Sequence, residues 1–303
     1  MIVGILGGSG LYDLEGLTGV GEQVVATPFG APSGPVVTGK VGDGDVQLAF
    51  IARHGRGHRL LPSEINYRAN IHALKQLGAQ KVISVSAVGS LREGLSPGDL
   101  VVVDQFIDRT HRRESTFFGD GVVGHVGYGD PVCAVLAGAV HAGALALGFE
   151  DGRADERGRA GGPGRARRAY RGGTYVCMEG PQFSTRAESL LHRSWGADVI
   201  GMTAATEAKL AREAELCFTS LALVTDYDCW HPEEEAVTAT SIVEVLLANV
   251  SGAKEIVRRV LPGLPRLPEC GCGRAAERAI MTAREAIPAA ARERLRVLYG
   301  RYL

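Results

Sequence analysis

Two carboxylates, Asp226 and Asp228, follow directly on the apolar run Leu221-Ala222-Leu223-Val224. The run reads as a buried strand, which puts both acids at or just past its C-terminal end. Open α/β sheets bind ligands at that edge, and carboxylates beside a core strand need partners. A purine edge offers two of them, N7 and an exocyclic amine. Taken alone, the pair also reads as two solvated loop residues.

A second group of residues suits an anion. Gly7-Gly8-Ser9-Gly10 follows the apolar segment Ile2–Leu6, so a tight turn with convergent amides and the Ser9 hydroxyl could hold phosphate. The turn lacks the third glycine of a dinucleotide fingerprint and the lysine of a P-loop. Arg53-His54-Gly55-Arg56-Gly57-His58 follows a second strand, and Ser84-Val85-Ser86-Ala87 lies in a third. Arg53 can grip phosphate oxygens bidentately, and His54 can donate through one ring nitrogen while accepting at the other. If these strands run parallel, Ser9, Arg53, His54 and Ser86 meet at one sheet edge. That set fits inorganic phosphate better than a nucleotide tail, since no motif supplies a magnesium ligand.

The elements that must position these groups are legible as a pattern. Strands are expected at Ile2–Leu6, Val46–Ala52, Lys81–Ala87, Asp99–Val103, Asp198–Met202 and Leu221–Thr225. Helices are expected at Glu64–Leu77, Ser184–Trp195, Ala204–Arg212 and Ala236–Ile256, with two pieces broken at Pro288 within Glu277–Leu298. Their alternation predicts a largely parallel sheet covered on both faces, the α/β class, in a single domain over residues 1–303. Between Asp151 and Gly172 lie seven arginines and six glycines with little to pack, so 151–172 is expected to be an exposed, mobile loop.

Composition narrows the function classes. The 303 residues carry 33 basic and 34 acidic side chains, giving no global bias toward nucleic acid or an anionic membrane. No apolar stretch is long enough to span a bilayer, and the N-terminus has no leader-like segment, so a cytoplasmic protein is expected. Of six cysteines, only Cys270 and Cys272 are close in sequence. With no second Cys/His cluster beside them, they read as two free thiols in a turn rather than a zinc site, a local disulfide being the minority alternative.

Longer motifs carry a resemblance. They include Arg53-His54-Gly55-Arg56-Gly57-His58, Pro62-Ser63-Glu64-Ile65-Asn66-Tyr67-Arg68, Glu179-Gly180-Pro181-Gln182-Phe183-Ser184 and Thr225-Asp226-Tyr227-Asp228-Cys229-Trp230. From Gly4 to about Val250 the chain resembles the purine nucleoside phosphorylase superfamily, in its branch acting on 5′-methylthio nucleosides. The resemblance implies a central mixed, twisted sheet flanked by helices, and a homotrimer. It implies phosphorolysis of S-methyl-5′-thioadenosine, with broader action on adenosine or inosine-type nucleosides as the alternative. Phosphate would sit on Ser9, Arg53, His54, Ser86 and Thr203. The ribosyl group would lie by Ala87 and Met202, and the purine by Phe183 and Ser184. Asp226 would serve N7 and Asp228 the 6-amino group. His58, Ala239 and Ile242 would wall the 5′ group, with His125 reaching in from a neighbouring subunit. Phosphate and nucleoside are the implied partners, and no metal or organic cofactor is called for.

Overall fold

Short apolar runs, near-continuous in β-branched and small residues, form the strands at the centre of the molecule. The computed structural model describes residues 1–8, 17–41, 46–152, 166–231 and 239–303, with 239–248 as helix backbone only. In chain order the elements are β1 (Ile2–Gly7), β2 (Leu17–Gln23), β3 (Val36–Val41), β4 (Gln47–Ala52), α1 (Tyr67–Gln76), β5 (Ala79–Ser90), β6 (Leu100–Val103) and β7 (Gln105–Asp108). There follow α2 (Ala134–Leu145), β8 (Glu150–Gly152), β9 (Arg168–Arg171), β10 (Thr174–Cys177), α3 (Arg186–Ser194), β11 (Val199–Gly201), α4 (Ala204–Glu213), β12 (Cys217–Asp226), α5 (Ala239–Val260) and α6 (Ala289–Tyr299).

The strands form one mixed sheet in the order β2-β3-β4-β1-β5-β12-β6-β9-β8, with β10, β11 and β7 attached beside β5. Four central strands, β4, β1, β5 and β12, are mutually parallel. Antiparallel pairs flank them: β3 on β4 and β6 on β12. The parallel strands are buried almost end to end, as sheets covered on both faces require. On the sheet, α1 packs against α4 and α6, while α2 packs against α5.

β5 is twelve residues long and serves two neighbourhoods. Its body pairs with β1 and β12, and its last residues, Gly89 and Ser90, pair antiparallel with β11. Where β5 changes partner, the register with β12 shifts: Val224 faces Val88, but Asp226 faces Gly89. The intervening Thr225 forms a bulge, a device that re-aims the residue beyond it. Its hydroxyl lies 3.2 Å from the Val88 carbonyl and 2.7 Å from Asp226 Oδ2.

Three expectations change. The segment 151–172 is not one loop: Arg168–Arg171 is strand β9, with Ala169 and Tyr170 fully buried against β6, and Glu150–Gly152 is strand β8. Residues 153–165 lie outside the described residues. The helix read from Ser184 starts at Arg186, capped by Thr185, whose hydroxyl accepts from the Glu188 amide while Glu188 accepts from Thr185. The segment 277–298 holds two helical pieces on either side of Pro288, as expected, but the first is only a 3-10 turn, Arg284–Ala286; the α-helix begins directly after the proline, where a ring without an N–H is tolerated. Among the described residues, no helix is long and apolar enough to cross a membrane.

Candidate active site

Arg53, immediately after β4, is 2% exposed and lies at the C-terminal end of β1 and the middle of β5. Its Nε donates to Glu207 Oε1, and Nη2 reaches Glu207 Oε2 at 3.0 Å, Ser84 Oγ at 2.8 Å and the Leu6 carbonyl at 3.3 Å. Nη1 donates to the Val85 carbonyl at 3.1 Å. Among the described residues, four of the five guanidinium hydrogens are thus occupied, and one Nη1 hydrogen has no partner. Burial works against the Arg53 charge, and Glu207 more than offsets it, so the guanidinium titrates above its usual range. The free bidentate grip expected from sequence is therefore turned inward onto Glu207. Arg53 presents one donor and a fixed charge.

His54 is half-buried. Its Nδ1 lies 2.8 Å from the Leu60 carbonyl, which can only accept, so Nδ1 carries the hydrogen. Burial, with the Arg53 charge beside it, pushes its pKa down to about 4. At neutral pH the ring is uncharged and Nε2 holds a lone pair. His58 stacks on it with centroids 4.3 Å apart. His58 itself is exposed, in left-handed backbone between Gly57 and Arg59.

Further along β5 the Ser86 hydroxyl is buried with no hydrogen-bond partner among the described residues. Thr203 is buried at the N-terminus of α4, its side chain making no capping bond. Tyr175 lies beneath them: a Cβ on Gly201 would sit 2.1 Å from its hydroxyl oxygen. Burial raises the Tyr175 phenol, opposed in part by the Thr203 amide and Ser86 hydroxyl nearby, so it stays protonated. Met202 follows β11, and its carbonyl accepts from Arg113 Nη1. Arg113 also donates from Nη2 to the Glu179 carbonyl at 2.7 Å, which ties the Glu179 turn to this edge.

The acidic pair occupies the far end of β5. Asp226 Oδ1 accepts from the Asp228 amide at 2.8 Å, and Oδ2 accepts from the Thr225 hydroxyl. Asp228 is buried and left-handed, φ 51°, with Oδ2 lacking a hydrogen-bond partner among the described residues. Burial raises its pKa, and the nearby Ser189 and Ser184 hydroxyls offset this only in part. The carboxyl moved toward its neutral form is thus Asp228, whereas both Asp226 oxygens already accept. Gly89 makes room for the pair, since a Cβ there would lie 2.9 Å from Asp226 Oδ1 and 3.2 Å from Asp228 Cβ.

Both groups therefore lie against β5, Arg53 from the end of β4 and Asp226 from the end of β12. Arg53 rests on Val85 and Asp226 faces Gly89, four residues apart, a separation of about 13 Å along the strand. Between them Ser86 and Ala87 are half-buried. That span matches a phosphate and a nucleoside laid end to end. Phe183 is 51% exposed in the turn before α3, and Ser184 is half-buried beside Cys229, whose thiol donates to the Ser184 carbonyl at 3.2 Å. Trp230 is buried, and its indole donates to the Ser90 carbonyl at 2.7 Å.

Some expected residues are not gathered here. Ser9 lies outside the described residues, as do the side chains of Ala239 and Ile242 at the start of α5. His125 is exposed in a loop, its amide bonded to the Ala279 carbonyl at 2.8 Å. Sequence reasoning missed Glu207, Ser84, Tyr175 and Ser189. Glu207 left a signal, an acid in a helix of small apolar residues, which a buried arginine would explain. Tyr175 left none, because β10 is only four residues long.

A parallel-stranded edge with an anion cradle at one end and paired acids at the other defines a nucleoside-phosphorylase type of site, and the chain belongs to the phosphorylase superfamily, whose profile matches residues 2–262. Within it, the chain is similar to proteins named S-methyl-5′-thioadenosine phosphorylase. The relative from Koribacter versatilis is 54% identical over 99% of this chain and 96% of its own, and that from Geobacter sulfurreducens 51% over 100% and 99%. Among solved structures, a methylthioadenosine phosphorylase from an Antarctic soil metagenomic library superposes with TM-score 0.88 at 44% identity, covering 98% of each chain. A methylthioadenosine phosphorylase from Schistosoma mansoni in complex with adenine superposes with TM-score 0.83 at 37% identity, covering 91% of this chain and 96% of its own.

Proposed function

We propose that the chain catalyses phosphorolysis of S-methyl-5′-thioadenosine, releasing adenine and 5-methylthioribose 1-phosphate. The observation that supports this is that Arg53, just after β4, and Asp226, at the end of β12, both lie against β5, four residues apart along it. The kinship with S-methyl-5′-thioadenosine phosphorylases agrees with it.

In this reading phosphate sits at the α4 N-terminus, held by the Ser86 hydroxyl, the Thr203 amide and side chain, the remaining Arg53 hydrogen and Ser9. The lone pair on His54 Nε2 accepts a hydrogen from a protonated phosphate oxygen. Another phosphate oxygen bonds to C1′ as the C1′–N9 bond breaks, and the electron pair leaves with the purine. Holding the nucleophile in line is mainly positional catalysis, and the phosphate charge stabilises the cationic sugar. The ribosyl group lies over Ala87 and beside Met202, with the base against Phe183 and Ser184.

Protonation at N7 lets adenine leave neutral. Asp226 faces N7 and Asp228 the 6-amino group. Because burial raises Asp228 while Asp226 is held as an acceptor, the proton belongs to the acidic pair, not to Asp226 alone. The amine donates to the unpaired Asp228 Oδ2, whereas a 6-keto oxygen there would meet another acceptor. His58, Ala239 and Ile242 enclose the 5′ group, and His125 completes the pocket from a neighbouring copy in a homotrimer.

Adenine release from S-methyl-5′-thioadenosine, assayed with and without phosphate, tests the reaction. Release should require phosphate and give one sugar phosphate per adenine. Equal release without phosphate would make the enzyme a hydrolase and sink the proposal.

A further inference from the structure

Four of the six cysteines meet at the end of the sheet opposite the acidic pair. Cys133 precedes α2, Cys217 opens β12, and Cys270 and Cys272 flank Gly271 at the start of a short 3-10 turn. Their four sulfurs all lie within 4.8 Å of one another. Cys270 Sγ is 3.3 Å from Cys217 Sγ and 3.7 Å from Cys133 Sγ. All are free thiols, and three of the four are buried.

These separations have a chemical meaning. A disulfide needs about 2.05 Å between sulfurs, whereas four thiolates about 2.3 Å from a central zinc ion are about 3.8 Å apart along each tetrahedral edge. The two shortest contacts, 3.3 and 3.7 Å, and the 4.8 Å limit on all pairs bracket that edge length. The electrostatics agree. Cys133 stands at the N-terminus of the twelve-residue helix α2, where a thiolate is favoured. Sequence proximity concealed the site, because the fold brings Cys133 and Cys217 to a Cys-x-Cys pair more than fifty residues further on.

We propose that Cys133, Cys217, Cys270 and Cys272 form a tetrathiolate site for a divalent, thiophilic metal ion, zinc by this chemistry. Four coordination positions filled by protein leave none for substrate, so the role is structural. The ion would tie the loop after α5, built of short 3-10 turns, to the roots of α2 and β12. Cys217 and Asp226 are the first and last residues of β12, about 30 Å apart, which places the metal far from the chemistry.

The test is metal content of the full-length protein purified without chelator. About one zinc per chain is expected, released as a mercurial titrates the thiols. Growth on cobalt should give the visible d–d bands of a tetrahedral thiolate complex. The double variant Cys270→Ser/Cys272→Ser should lose the metal and melt at lower temperature while its folded fraction still turns over substrate. If that variant does not fold, wild-type stoichiometry and the cobalt spectrum decide alone. Stoichiometric wild-type protein without metal, with the sulfurs either free to titrate or paired as disulfides by intact mass, would overturn the proposal.

Discussion

The chemistry at residue scale turns on what each polar atom has left to offer. Arg53 spends most of its hydrogens on Glu207, Ser84 and two carbonyls, so its worth to phosphate lies in a fixed charge and one donor. His54 is neutral with its lone pair outward. Among the described residues, Asp228 Oδ2 is buried with no hydrogen-bond partner, whereas both Asp226 oxygens accept. Replacing Asp226 by Asn should therefore lower turnover by about 10²-fold or more while KM for phosphate changes little. Asp228→Asn presents a donor in place of an acceptor. It should shift preference from methylthioadenosine toward methylthioinosine by about 10²-fold, read from kcat/KM for the two at fixed phosphate. Unaltered turnover in the first variant, or unaltered preference in the second, would remove these roles.

Among the elements, the central strands were legible because β1, β4, β5 and β12 are apolar runs buried on both faces. β2 and β3 were not, since their exposed faces dilute the signal. α2 was missed for the opposite reason: apart from the buried His141, Ala134–Leu145 is alanine, glycine and aliphatic, with no polar face to set a period. The Thr225 bulge was also invisible, because one extra residue in a strand leaves no compositional mark, and yet it aims Asp226. The types of the site residues could be read from the chain. Their hydrogen-bond economy could not, because Glu207 lies 154 positions from Arg53.

The helix α1 carries a testable cost of burial. His72 is buried against Phe29, ring centroids 5.5 Å apart, and neither ring nitrogen has a hydrogen-bond partner among the described residues. Burial lowers its pKa from 6.5 to about 4. Above pH 6.5 folded and unfolded chains both hold a neutral ring. Below it the unfolded chain binds a proton that the folded chain refuses until about pH 4, so stability falls as pH is lowered through that window. The slope is up to roughly 1.4 kcal/mol per pH unit from this group, and His54 adds in the same direction. His72→Phe should flatten the acid dependence of thermal unfolding; a slope equal to wild type would show the imidazole is not responsible.

For the molecule as a whole, the sheet gathers one edge, and the proposed 5′ pocket draws on a neighbouring copy. His125 is exposed and held to the C-terminal segment by backbone bonds, which suits a residue offered to another copy. Light scattering should give three times the chain mass, and His125→Ala should raise KM for methylthioadenosine without changing KM for phosphate. A monomer that is fully active would contradict the shared pocket.

The most direct test of a single strand serving both ends of one substrate is a crystal structure with phosphate and a non-reactive methylthioadenosine analogue bound together. Phosphate is expected at Ser86 and Thr203, with the base edge at Asp226 and Asp228 and the sugar over Ala87. Phosphate and base in separate clefts, not bridged along β5, would contradict it.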